Sequence, residues 1–193
     1  MTVTLNLHPV VELTDDQFYE LCQANRDLRL ERTATGEIII MPPAGGETGH
    51  RNIKLAFQLE AWSSQNDLGI AFDSSTGFKL PNGAERSPDA SWIKCDRWNS
   101  LNSEQKCKFP PLCPDFVIEL RSETDSIKTL QLKMQEYIDT GAKLGWLIDP
   151  KTQKVEIYRL GKQVEILQNP ATLSGEDILP GFVLNLSSIF KDA

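Results

Sequence analysis

Pro88-Asp89 and, thirty positions on, Glu119-Leu120-Arg121 are the residues of this sequence whose types and spacing could do chemistry. Two carboxylates can hold a Mg²⁺ or Mn²⁺ ion, and a neighbouring backbone carbonyl can complete its oxygen ligands. A nearby cation can then stabilise the negative charge that develops on a phosphate. That inventory suits metal-dependent cleavage of a phosphodiester.

The elements around these residues decide which of them can meet. Asp115 to Leu120 reads as a short apolar strand after Pro114, and Thr124 to Thr140 as a helix with Ser126 as N-cap and Gly141 past its end. Gly145 to Asp149 reads as a second buried strand stopped by Pro150. Strand, helix and strand in that span predict a right-handed crossover between parallel strands. Side chains alternate along a strand, so Asp115, Val117, Glu119 and Arg121 share one face. Asp115 and Glu119 stand about 13 Å apart along it, too far to share a hard cation whose ligands sit at about 2.0–2.6 Å. Asp115 is therefore expected to start the strand and do no more. Glu119 needs a partner from elsewhere, and Asp89, opening a half-buried strand after Pro88, supplies one. On the helix, Leu130, Lys133, Met134 and Tyr137 fall at i, i+3, i+4 and i+7, a stripe that should face the sheet. A lysine there must snorkel, pair or act, whereas Lys128 lies off the stripe and should face solvent. Arg121, about 6.6 Å from Glu119 by strand rise, is the competing cation.

Upstream, Leu13 to Cys22 predicts a short amphipathic helix capped by Thr14, and Leu28–Thr33 with Glu37–Met41 a hairpin around Thr35-Gly36. Pro42 to Gly49 is rich in glycine but lacks the Gly-Lys-Ser/Thr of a phosphate loop, and is expected to be a flexible approach to a helix from His50 to Ser63. Leu55, Leu59 and Trp62 on one stripe and Ile53, Ala56 and Phe57 on another predict that this helix is largely buried. His50 and Glu60 are its secondary candidates, read more simply as a packed histidine and a half-solvated acid. Leu68–Asp73 and Thr76–Leu80 predict strands around Ser74-Ser75, Lys94 to Pro111 a polar excursion, and Val155–Tyr158 with Gln163–Leu167 a terminal hairpin.

At 193 residues, with 40% hydrophobic and 24% charged residues, the chain is expected to be one domain with an ordinary core. No apolar run approaches a membrane span and no charged leader opens the sequence, so the expected address is cytoplasmic, with no membrane partner. Four irregularly spaced cysteines and two histidines argue against structural zinc and for reduced thiols. The net charge of −7 argues against a broad basic surface, so any nucleic-acid contact would depend on a local patch.

Gly49-His50, Ser75-Thr-Gly-Phe78, Ser87-Pro-Asp89, Pro114 to Ser122, Lys133 to Tyr137 and Gly145 to Pro150, in that order, resemble the Uma-type family of "putative restriction endonucleases", a bacterial group in the PD-(D/E)xK nuclease superfamily. The resemblance runs from about Thr14 to Phe190. It implies an α/β restriction-endonuclease-like core, a mixed sheet flanked by helices with added β-hairpins, as a single domain over 1–193 with its core at about 48–160. It further implies that Asp89 and Glu119 are metal carboxylates, with the E-x-K lysine relocated to Lys133; Arg121 stands where that lysine would be. The first expectation is a Mg²⁺-dependent DNA endonuclease, with DNA and a second copy of the chain (a homodimer) as its candidate partners and Asp89, Glu119 and the Leu120 carbonyl on the metal. Lys133, which unlike arginine can give up its proton near neutral pH, would position the water. The second expectation is a non-catalytic module that keeps the fold and acts through a partner.

Overall fold

The Thr14 hydroxyl accepts from the Gln17 N–H, and the Gln17 side chain accepts from the Thr14 N–H, a reciprocal box that starts the first helix at Asp15. A computed structural model describes residues 2–190. Its elements run β1 (Val3–Leu5), α1 (Asp15–Ala24), β2 (Arg29–Arg32), β3 (Ile38–Met41), α2 (Gly46–Asn66), β4 (Gly69–Asp73), β5 (Phe78–Lys79), β6 (Glu85–Arg86) and β7 (Ala90–Lys94). They continue with α3 (Cys95–Asn99), α4 (Ser103–Cys107), β8 (Phe116–Leu120), α5 (Ile127–Thr140), β9 (Leu144–Asp149), β10 (Lys154–Arg159), β11 (Glu165–Gln168), β12 (Thr172–Ser174), β13 (Val183–Asn185) and α6 (Ser187–Phe190).

Among the described residues the strands form a six-stranded sheet in the order β11-β10-β9-β8-β7-β4, a five-stranded sheet β1-β3-β2-β6-β5, and the pair β12-β13. β8 and β9 are parallel, Phe116 opposite Leu144 through Leu120 opposite Ile148, with α5 crossing between them. The other neighbours in the six-stranded sheet are antiparallel. Both faces of this sheet are covered. Phe116, Ile118, Leu120, Trp146 and Ile148 pack toward Leu55 and Leu59 of α2 and the C-terminal segment. Val117 and Leu147 pack toward Met134, Tyr137 and Ile138 of α5. That double burial explains why β8 and β9 read as nearly continuous apolar runs. Gly141, at φ 128°, ends α5 and lets the Ala142 N–H reach back to the Tyr137 carbonyl.

Three expectations need correction. The α2 helix begins at Gly46, so half of the supposed glycine loop is its first turn. It is not largely buried: Leu55, Leu59 and Ser63 face the sheet, while Ile53 and Phe57 are 63% and 70% exposed. One sheet face can cover only one stripe, and the second apolar stripe turns outward. The two strands around Ser74-Ser75 do not stay together, since β4 pairs with β7 in one sheet and β5 with β6 in the other. The chain changes sheets at that turn, so the five-stranded sheet comes to rest beside the Pro88-Asp89 end of β7. No helix among the described residues is long and apolar enough to cross a membrane.

Candidate active site

Glu119 is the polar residue on a strand that is buried along its whole length. Alternation sends it to the α5 side, next to Tyr137, with only 4% of its surface exposed. Its Oε1 accepts a hydrogen bond from the Tyr137 hydroxyl at 3.1 Å and pairs with Lys133 Nζ at 2.9 Å. Burial pushes the Glu119 carboxyl up to about 7; Lys133 pulls against that, and the Asp89 and Glu31 charges add to it. Lys133, one turn before Tyr137, lies 5.8 Å from the Tyr137 ring centroid. Burial would lower the lysine, but Glu119 and Glu31 outweigh it and hold Lys133 protonated above its ordinary value. The two acids thus favour the charged form of the lysine at this position.

Asp89 stands where β7 begins, beside the C-terminal end of β8. Its Oδ2 accepts the Leu120 N–H at 2.9 Å, and its Oδ1 accepts from the Asn52 side chain at 3.3 Å and lies 3.6 Å from Arg29. Asp89, Glu119, Leu120 and Lys133 therefore meet at one end of the sheet. Arg121 does not join them. Its guanidinium pairs with Asp149 at 2.7 Å and donates to the Asp125 carbonyl, bracing the turns after β8 and β9. His50 and Glu60 are exposed on α2, and that helix contributes Asn52 to the site instead.

Glu31 and Arg29 of β2 also lie at the site, outside the motif. Glu31, on β2 and 2% exposed, accepts from Lys133 at 2.8 Å and from the Ser87 N–H at 2.9 Å, and pairs with Arg86 at 3.2 Å. Burial alone would raise its carboxyl; Lys133 and Arg86 hold it below the usual range. Arg29, two residues earlier on the same strand face, donates to the Ser87 carbonyl at 2.8 Å. The period-two pair Arg29-x-Glu31 was visible as a charged face of a half-buried strand. Nothing local told which other strand that face would meet.

The donor set suits a small hard cation. The Leu120 N–H points to the β7 side, and in a strand the carbonyl of the same residue points that way too. Continuing the Ala90–Ile118 register by two residues sets Pro88 opposite Leu120, and proline has no N–H to offer that carbonyl. The Asn52 Oδ1 beside Asp89 is buried and receives no hydrogen bond. Two carboxylates and two such oxygens resemble the sparse ligand set with which Mg²⁺ keeps several waters. Among the described residues no group of three or more His, Cys, Asp or Glu is placed to hold a metal, so a richer cage of the calcium kind does not fit.

A family model described as "Uma2: Putative restriction endonuclease" matches residues 15–187. Of solved structures, one described as a putative nuclease belonging to DUF820 from Anabaena variabilis ATCC 29413 superposes with a TM-score of 0.76 at 20% identity. That match covers 92% of this chain and 97% of the other and places both in one fold. A DrdV-DNA complex matches at a TM-score of 0.38 and 15% identity, over 63% of this chain and 10% of the other; similarity at that level decides neither fold nor function. Among curated proteins, none matches the sequence.

Proposed function

The chain belongs to the Uma2 family, and from that premise we propose that it is a divalent-metal-dependent DNA endonuclease of the PD-(D/E)xK type. The observation that carries the reading is the convergence of Lys133 on Glu119 at 2.9 Å and of Asp89 on the Leu120 N–H at 2.9 Å, from three different elements. In this reading Asp89 and Glu119, with the Leu120 carbonyl, hold Mg²⁺ or Mn²⁺, which would lower the pKa of a bound water and polarise the phosphate. The Tyr137 hydroxyl orients Glu119, and Asn52 and the Leu120 N–H orient Asp89. Lys133, kept charged by its two acids, faces the negative charge that builds on the phosphate. Arg121 is left to bracing, through Asp149.

Incubation with supercoiled plasmid tests this. Nicking or linearisation is expected with Mg²⁺ or Mn²⁺, and none in EDTA or with Asp89→Ala. Cleavage that persists in EDTA, or in the variant, overturns it.

A second reading, a non-catalytic module acting through a partner, has one observation in its favour. Glu119 and Lys133 already form a closed pair, with Glu31 holding the lysine from the other side. Calorimetric titration with Mg²⁺ separates the two readings, because wild-type protein that binds no metal puts the module ahead.

A further inference from the structure

Arg29 is the cation at this end of the sheet that the protein's own acids match least. Lys133 stands on Glu31 and Glu119 at 2.8 and 2.9 Å, Arg86 on Glu136 and Glu31 at 2.6 and 3.2 Å, and Arg121 on Asp149 at 2.7 Å. Their side chains are 11%, 10% and 22% exposed. The Arg29 side chain is 34% exposed and stays 3.6 Å from Asp89. Its hydrogen bond among the described residues goes to a neutral acceptor, the Ser87 carbonyl, and its buried Nε–H finds no acceptor at all. Nη2 donates to the Ser87 carbonyl and Nη1 stands 3.6 Å from Asp89 without a hydrogen bond to it, so the outer, two-nitrogen edge of the fork keeps N–H donors to offer.

The anchoring is as informative as the free donors. The bond to Ser87 ties the fork to the residue that precedes Pro88-Asp89, and Glu31 two residues along β2 ties the same backbone and Lys133. The strand thus directs one side chain at the protein's own site and holds the next, on the same face, by the Ser87 carbonyl with its outer edge exposed. Planar forks of this kind match the paired oxygens of a phosphodiester, which a point-charge lysine cannot do.

We propose that Arg29 is a substrate-binding residue that clamps the non-bridging oxygens of a nucleic-acid phosphate beside Asp89. The proposal rests on the nuclease reading and adds to it the group that grips the backbone. Arg29 belongs to the five-stranded sheet, so that sheet becomes one wall of the substrate cleft.

The test is duplex binding by fluorescence anisotropy in Ca²⁺ over a series of salt concentrations, with Mg²⁺-dependent cleavage measured alongside. Each phosphate neutralised contributes about 0.9 to the slope of log K against log[salt], so Arg29→Met should flatten the slope by about 0.9. Affinity should fall about tenfold, as for one charge-assisted hydrogen bond. Arg29→Lys should keep the slope and cut kcat/KM about tenfold, because the charge stays and the fork is lost. An Arg29→Met protein with wild-type slope and affinity overturns the proposal. So does an unfolded Arg29→Met together with an Arg29→Lys that cleaves at the wild-type rate, which would make the residue structural. Wild-type protein that binds no duplex at any salt concentration is a different result: it removes the nuclease reading itself.

Discussion

Asp115 and Glu119 are two buried carboxylates on the same face of the same strand region, four residues apart, and their surroundings drive them in opposite directions. The Asp115 side chain, 1% exposed, accepts the Lys94 N–H at 3.0 Å and pairs with Arg97 at 3.0 Å and Lys143 at 2.8 Å. Burial alone would raise its carboxyl, but Lys143, the Lys94 amide and Arg97 together hold it below the usual aspartate range. Burial pushes the Glu119 carboxyl up to about 7; Lys133, which it shares with Glu31, offsets that only in part, and the Asp89 and Glu31 charges add to the rise. One end of the strand has more cation than acid, and its cations are 34% and 48% exposed, where water supports them as well. At the other end the buried carboxylates of Glu119 and Glu31 share Lys133. The paired Asp115 carboxylate braces the strand entry, and the under-neutralised Glu119 is the one we propose as a metal ligand.

Activity should split this pair most sharply. Lys133→Met and Glu119→Gln should each lower cleavage by about 10²–10³-fold, the cost of removing one preorganised charge from a site of this kind. Asp115→Asn, assayed at a temperature where it is folded, should keep the wild-type rate. Single-turnover cleavage of one DNA substrate decides it, and an inactive, folded Asp115→Asn would break the comparison.

Stability should move with opposite signs. Asp115→Asn should cost on the order of 1–3 kcal/mol by leaving its amide and cation partners poorly matched. Without metal, Glu119→Gln should gain on the order of 1–3 kcal/mol near pH 8, because the folded state no longer confines an excess charge. The pH dependences differ accordingly. A carboxyl raised from 4.5 to about 7 binds its proton more tightly when folded, so wild-type stability in EDTA should fall as pH rises from about 4.5 to 7. The advantage of Glu119→Gln should therefore grow through that window. A carboxyl held below 3.8 contributes stability that is complete above that value and lost as pH falls beneath it, so the Asp115→Asn penalty should vanish in acid. Thermal melts of both variants between pH 3 and 8 check the two trends, and parallel curves would erase the distinction.

The smallest effect concerns the two cations. Arg121→Met should lower cleavage less than about tenfold, well short of a preorganised site charge, while lowering Tm through the lost Asp149 pair, 22% and 8% exposed. Should Arg121→Met prove inactive and Lys133→Met nearly normal, the basic group acts from the strand and not from the helix.

Much of this arrangement is local in origin and legible in the sequence. The parallel crossover followed from two short apolar runs, a helical stripe and a glycine past its end, because period and capping act over a few residues. Lys133 stood out because a lysine among Leu130, Met134 and Tyr137 breaks the pattern of a buried face. The family itself was readable in the Pro88-Asp89 and Pro114–Ser122 stretches, and the model match over residues 15–187 shows it.

Long-range geometry decided the rest. Burial of α2 was overestimated because a periodic stripe tells which side chains lie together and not whether a second surface exists to cover them, as Ile53 and Phe57 show. Arg121 shared the face of Glu119 by alternation, yet a free side chain at a strand end follows the nearest matching charge, and Asp149 arrives from 28 residues away. Glu31 and Arg29 reach the site only because the chain changes sheets after β4 and sets β2 against Ser87. Residue types and spacing determined which groups could do chemistry and which element each would ride on. Only the tertiary structure decided which buried carboxylate was left short of positive charge, because neutralisation is the sum over every neighbour that folding brings within a few ångströms.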